Sequence, residues 1–268
     1  MPILAGYMVP HPPIAVPEIG KGEEKKITYT LNSYDEVAKD IAALKPDTLI
    51  ITSPHSVMYG DYFHISPESG AQGDFRRFGA GNVRFSVSYD EELRKVICDK
   101  CDEAGIPAGT LGERDPMLDH GTMVPLYFIN RRYTDYKIIR IGLSGLNLNT
   151  HYEFGKTIRK AVDRTGRRCV FLASGDLSHC QKEDGPYGFA PEGPVYDEKI
   201  MSVMGAGDFG ALTSFDDDLL DKAMECGHRS FTIMGGAFDG VNIDTRELSH
   251  EATFGVGYGF CIYHPLPY

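Results

Sequence analysis

The chain has 268 residues, 42% hydrophobic and 24% charged, with a formal net charge of −11. That length and balance fit one large globular α/β domain. The acidic charge argues against a nucleic-acid phosphate surface, and no apolar run approaches the roughly 18 residues that span a bilayer.

Strand-like runs recur at 2–9, 48–52, 62–66, 83–89, 137–142, 168–173 and 252–263. Amphipathic helices fall between several of them. Asp90 is a cap for 91–104, where Leu93, Val96, Ile97, Cys101 and Ala104 share one face. Thr150 is read as the cap of a helix whose apolar face is Phe154, Ile158, Ala161 and Val162. A further helix runs from about Val195 to Met204, and others flank Cys226-Gly227. Strands alternating with helices predict an α/β fold, a central sheet with helices on both faces. No linker or repeat divides the chain, so residues 1–268 read as one domain. The Gly- and Phe-rich stretch from Gly70 to Gly81 reads as a long loop, a lid or substrate loop.

Six cysteines are too few and too scattered for a disulfide scaffold. Cys98-Asp99-Lys100-Cys101 has no second pair to complete a zinc site and falls within a helical pattern. Reduced thiols, and an amino terminus without a basic segment leading into a long apolar run, fit the cytoplasm.

Histidines mark the ends of the apolar runs. Pro10-His11-Pro12-Pro13 follows the first and Ser53-Pro54-His55-Ser56 the second. Ser174-Gly175-Asp176-Leu177-Ser178-His179 follows the strand-like Cys169–Ala173, and Asp119-His120-Gly121 opens an apolar helix. Loops at the carboxyl ends of buried strands open into the crevice where α/β sheets bind ligands. Ionisable groups there are expensive unless paired or metal-bound. Two rigidly held imidazoles, His11 and His55, at neighbouring strand ends therefore suggest a metal site. A carboxylate such as Glu225 would complete a 2-His-1-carboxylate face for Fe(II) with positions left for substrate and O2. A thiolate from Cys226 would favour zinc instead.

The ordered motifs at His11, His55, Asp119-His120-Gly121 and Ser174–His179 resemble those of class III (LigB-type) extradiol dioxygenases. Within that superfamily the chain is most similar to the LigB-like domain of AmmeMemoRadiSam proteins, with Memo-like proteins further off. The resemblance implies a central mixed sheet in a LigB-like extradiol dioxygenase fold. It implies His11, His55 and Glu225 as metal ligands, His179 as the acid–base residue and His120 as a histidine that orients substrate or the oxygen intermediate. Cys226 and His228 crowd Glu225, which departs from the pattern at the third ligand.

The implied activity is an Fe(II)-dependent extradiol dioxygenase, with Mn or Zn as other metals, cleaving a catechol or aminophenol with O2. The alternative is a metal-binding LigB-like or Memo-like protein without ring cleavage, acting as a redox or partner-binding component. A small aromatic substrate and O2 are the expected partners, with no nucleic acid and no membrane. A homo-oligomer, or a fused or associated second domain in a longer native chain, also fits the group.

Other motifs lack their context. Gly142-Leu143-Ser144-Gly145 is not a nucleophile elbow, and Gly255-Val256-Gly257-Tyr258-Gly259 precedes no helix. Glu225-x-x-His228 matches di-iron bundle spacing, but a helical bundle does not alternate strands with helices. Tyr7, Tyr59, Tyr62, Phe75 and Phe78 are candidates to line an aromatic pocket. Arg76 and Arg77 would steer a substrate carboxylate if the 70–81 loop folds over the site.

Overall fold

Alternate residues of four buried parallel strands point to opposite sides and build two separate cores. The computed structural model describes residues 3–267. In chain order its elements are β1 (Ile3–Val9), α1 (Pro17–Gly20), α2 (Thr28–Leu44), β2 (Thr48–Ser53), β3 (Phe63–His64), β4 (Gly70–Phe75), β5 (Ala80–Ser88), α3 (Glu91–Ala104) and β6 (Ala108–Gly109). Then follow α4 (His120–Ile129), β7 (Lys137–Gly142), α5 (Leu148–Thr165), β8 (Cys169–Ser174), α6 (Glu192–Ala206), α7 (Asp217–Ala223), α8 (His228–Ala237), β9 (Ile243–Glu251) and β10 (Tyr258–Pro265).

The main sheet runs β7-β2-β8-β1-β10-β9, with the first four strands parallel and the last two antiparallel. It is the mixed sheet the family resemblance implies. Ile50, Phe171 and Ala173 face one core, together with Phe154, Ile158 and Phe231 of α5 and α8. Leu49, Ile51, Val170 and Leu172 face the other, with Tyr34 and Val37 of α2 and Leu126 of α4. Period-two side-chain alternation does this, and burial on both faces explains the unbroken apolar runs. No helix among the described residues is long and apolar enough to cross a membrane.

Several elements differ from the sequence expectations. The stretch from Gly70 to Gly81 is not a loop: β4 and β5 pair as an antiparallel hairpin, turned by a 3-10 segment at Arg76–Phe78. The 62–66 run contributes only the two-residue β3. The last strand begins at Tyr258, and residue 2 of the first run lies outside the described residues. Asn147, not Thr150, caps α5, its Oδ1 accepting from the Thr150 amide at 2.9 Å.

Two elements carried weak signals. Helix α2 buries Tyr34, Val37, Ala38 and Ile41 at helical spacing, but Ile27 at its start gives no side-chain cap, so no start signal marks it. Strand β9 is mostly polar, with Ile243 and Leu248 its two apolar residues, and among the described residues pairs only with β10, an edge position with no apolar alternation.

Candidate metal centre

Strands β1 and β2 are not neighbours, since β8 lies between them. Their following loops nevertheless bring His11 Nε2 and His55 Nε2 to 3.0 Å from each other. Cys226, two residues before α8, adds Sγ at 3.7 Å from His11 Nε2. The three donor atoms all lie within 4.8 Å of one another.

The partners of His11 determine its tautomer. Ser174 Oγ gives its proton to the Gly121 carbonyl at 2.6 Å, so it accepts from His11 Nδ1 at 2.9 Å. Nδ1 carries the hydrogen, and Nε2 presents its lone pair to the centre. The His11 amide donates to Asp176 Oδ1 at 2.7 Å, and Asp176 Oδ2 lies 4.0 Å from Nε2. The buried Tyr34 hydroxyl donates to the Pro10 carbonyl, fixing the residue before His11. On the other strand, the His55 amide donates to Ser53 Oγ at 3.2 Å, and Ser53 Oγ donates to Asp119 Oδ1 at 2.6 Å.

Two glycines let these loops approach. A Cβ on Gly121 would strike Ser53 Oγ, and a Cβ on Gly175 would strike the Gly227 backbone. The second contact presses the Asp176 and Cys226 loops together, so the Asp176 amide donates to Cys226 Sγ at 3.3 Å.

The electrostatics suit a cation. Burial first, and then neighbouring His55, His120 and His179, hold His11 well below the usual imidazole range. Burial also lowers His55, and it takes His120 down to about 4 with help from His55. The imidazoles are therefore neutral donors at pH 7. Burial pushes Asp176 up to about 7, and burial with Asp176 and Glu225 pushes the Cys226 thiol well above its ordinary value. Two imidazole nitrogens, a thiol and a nearby carboxyl, converging within a few ångströms, fit a divalent cation, whose charge would reverse the cost of ionising the acidic groups.

Glu225 and His228 do not join this group. Glu225 Oε2 accepts from the His228 amide at 2.5 Å, satisfying an open N–H at the start of α8. Burial pushes its carboxyl up to about 7, against the pull of that amide. His228 is buried, with Nε2 on the Leu212 carbonyl at 2.9 Å. Asp176, by contrast, stands in the Ser-Gly-Asp motif, and a carboxyl just after a buried strand end is the signal that could have marked it, though the motif alone assigned it no role.

His120 and His179 stand beside the cluster. The His120 ring lies 4.0 Å from His55, centroid to centroid, and 5.3 Å from Phe78. His179 Nδ1–H donates to the Met224 carbonyl, which leaves Nε2 as the acceptor. Burial lowers its pKa, opposed by that carbonyl and by Asp197.

A cavity of about 540 Å³ opens from His55 and His120, with Arg76, Arg77 and Phe78 of the hairpin tip on one wall and Met117, Leu118 and Met123 on another. Of the five candidate aromatics only Phe78 lines it. Tyr7 and Phe75 are core, and the Tyr7 hydroxyl is bonded to Asp40. Arg76 is engaged by Asp74 at 2.6 to 2.9 Å, whereas Arg77 has no ion pair among the described residues.

The fold and the histidine-lined centre define the class. Residues 5–261 match the family described as the catalytic LigB subunit of aromatic ring-opening dioxygenase, and the chain belongs to that family. It is 42% identical over 261 residues to Protein CA_C1420 of Clostridium acetobutylicum, covering 94% of this chain and 56% of that protein. The chain thus spans little more than half the length of that relative. It is 24% identical over 284 residues to the 2-aminophenol 1,6-dioxygenase beta subunit of a Pseudomonas species, covering 95% of this chain and 92% of that one. A MEMO1 family protein of Methanococcoides burtonii is 28% identical over 203 residues, 69% of this chain and 67% of the relative. Among solved structures, an uncharacterized protein from Escherichia coli K12 superposes with a TM-score of 0.67 at 12% identity, over 97% of this chain and 99% of that one, a likeness of fold.

Proposed function

We propose that this protein is an extradiol-type dioxygenase that opens the ring of a catechol or aminophenol with O2, using Fe(II). The observation that carries the reading is the convergence of His11 Nε2 and His55 Nε2 beside His120, where His55 and His120 open into a cavity that also presents Phe78, Met117, Leu118 and Met123. Similarity to a 2-aminophenol 1,6-dioxygenase beta subunit supports the substrate class.

His11 and His55 would hold the metal, with Asp176 or Cys226 within reach as a third ligand; the Glu225 carboxylate would have to leave the His228 amide to join them. When bound, Fe(II) would lower the pKa of a substrate hydroxyl and relay electrons from the deprotonated ring to O2. The remaining work falls to the side chains. His179, with its free Nε2, accepts the proton of the substrate hydroxyl and returns it as the O–O bond breaks. His120 hydrogen-bonds and orients the reacting oxygens, and Phe78 and Met123 hold the flat ring away from water. Both oxygen atoms of O2 enter the product as a ring C–C bond opens.

The test is anaerobic reconstitution with Fe(II), followed by a panel of catechols and 2-aminophenol with O2. Consumption of O2 and growth of a yellow ring-opened product are expected. A second reading rests on Cys226: its sulfur lies among the three donors, and a soft thiolate favours zinc over a ring-cleaving Fe(II) site. Bound metal with no product across the whole panel would favour a metal-binding, redox or partner-binding role of the kind expected for Memo-like proteins.

A further inference from the structure

Arg140 on β7 is the largest fully buried side chain among the described residues. A buried guanidinium is tolerated only when its donors are satisfied, and three of the four groups that face this one lie on the segment 113–117. Nη1 donates to the Met117 carbonyl at 2.6 Å, Nη2 donates to the Asp115 carbonyl at 2.9 Å, and Nε donates to Ser66 Oγ at 2.7 Å. The Glu113 carboxylate stands 3.7 Å from Nη2. The same carboxylate lies 3.9 Å from Nε2 of His64, a buried ring with no hydrogen-bond partner at either nitrogen among the described residues.

The segment so gripped, between β6 and α4, has no regular structure of its own. It nonetheless supplies Asp115, Met117, Leu118 and Asp119 to the cavity wall and leads directly into His120. It is also tied to the hairpin, since the Leu118 amide donates to the Gln72 carbonyl of β4 at 2.9 Å. β4 runs on to the hairpin tip that carries Arg76, Arg77 and Phe78. Arg140 itself does not line the cavity.

We infer that Arg140 is a positioning residue for substrate: its guanidinium clamps the backbone of 113–117 and so fixes the wall of the cavity without touching ligand or metal. A planar fork can hold two carbonyls at once, which a lysine ammonium cannot do in the same geometry. The consequence for turnover rests on the ring-opening reading; the consequence for the segment does not.

The test uses the full chain with Arg140→Lys and, separately, Glu113→Gln. Hydrogen exchange across 113–119 in Arg140→Lys should quicken by at least about tenfold, with the central strands unchanged. Zn2+ affinity by competition titration should stay within about threefold of the wild-type value, because His11, His55 and Cys226 lie on other segments and among the described residues only the Ser53–Asp119 hydrogen bond links them to this one. KM for a cleaved catechol should rise by about tenfold while kcat moves by less than about threefold. Glu113→Gln should quicken the same segment to a smaller extent, and it decides the matter if Arg140→Lys does not fold. Unchanged exchange in a folded variant would overturn the assignment, as would exchange raised equally throughout the molecule or Zn2+ binding weakened by more than about threefold. If the wild type cleaves no catechol, the ring-opening reading fails, and exchange with Zn2+ titration still decides this one.

Discussion

His11 Nε2 faces His55 Nε2 at 3.0 Å even though β8 separates the two strands that deliver them. Ser174, the last residue of β8, fills the space between by taking the Nδ1 hydrogen of His11. The intervening strand thus sets the tautomer of a candidate ligand that it does not itself provide.

Ser174→Ala should therefore weaken metal binding without abolishing it. Loss of such a ligand-orienting partner typically costs about 10- to 100-fold in metal affinity. His11→Ala and His55→Ala should instead remove high-affinity binding. Competition titration with Zn2+ measures all three, and wild-type affinity in Ser174→Ala would mean that the hydroxyl does not orient the ring.

The contact between Gly175 and Gly227 gives a sharper probe of the third ligand. A methyl group on Gly175 must push the two loops apart, carrying Cys226 away from His11. With Co2+ in the site, a thiolate ligand produces a near-ultraviolet charge-transfer band. The wild type should show that band, and both Gly175→Ala and Cys226→Ser should lose it. A wild-type Co2+ spectrum without the band would remove Cys226 from the ligand set and leave Asp176 as the nearer anionic group.

For His179 the expectation is a separation of binding from chemistry. His179→Ala should keep metal affinity and reduce turnover by about 100- to 10,000-fold, the usual scale for a positioned acid–base group. Steady-state rates beside a metal titration test this. Wild-type turnover in the variant would discard the role.

Much of this was legible in the chain because strand ends announce themselves. His11, His55 and His179 each follow an apolar run, and His120 follows a capping Asp119 that does accept from the Thr122 amide. Asp90 likewise caps α3 through the Leu93 amide. Long-range geometry was not legible. Nothing in residues 174 to 176 reveals that β8 inserts between β1 and β2, and nothing local reveals whether Glu225 turns toward His11 or back to the His228 amide. Most of β5 was legible as the 83–89 run, but β4 and its pairing with β5 escaped because glycines and a polar face hide the alternation, and the two strands pair chiefly with each other. Arg140 was invisible for the same reason: a single arginine inside an apolar strand gives no sign of the loop that it holds.

Far from the centre, His264 and Asp40 provide a pH test of stability. His264 Nε2 lies 2.9 Å from Asp40 Oδ2, and Tyr7 donates to the same carboxylate at 2.7 Å. The hydrogen bond to Asp40 raises the His264 pKa above 6.5. Burial pushes Asp40 up, but the bonds from His264 and Tyr7 outweigh it and hold the carboxyl below 3.8. The histidine's contribution is therefore complete below its unfolded value of about 6.5 and fades as pH rises through the higher folded value. The aspartate's contribution is complete above its unfolded value and fades only as pH falls through the lowered folded one. The pair consequently stabilises most between roughly pH 4 and 6.5. His264 is 36% exposed, so screening keeps the effect small. Thermal unfolding of the wild type and His264→Gln should differ by roughly 2 °C near pH 5.5, and the gap should shrink steadily toward pH 8.5. A gap that widens with rising pH would mean that the imidazole contributes through packing or as the neutral form.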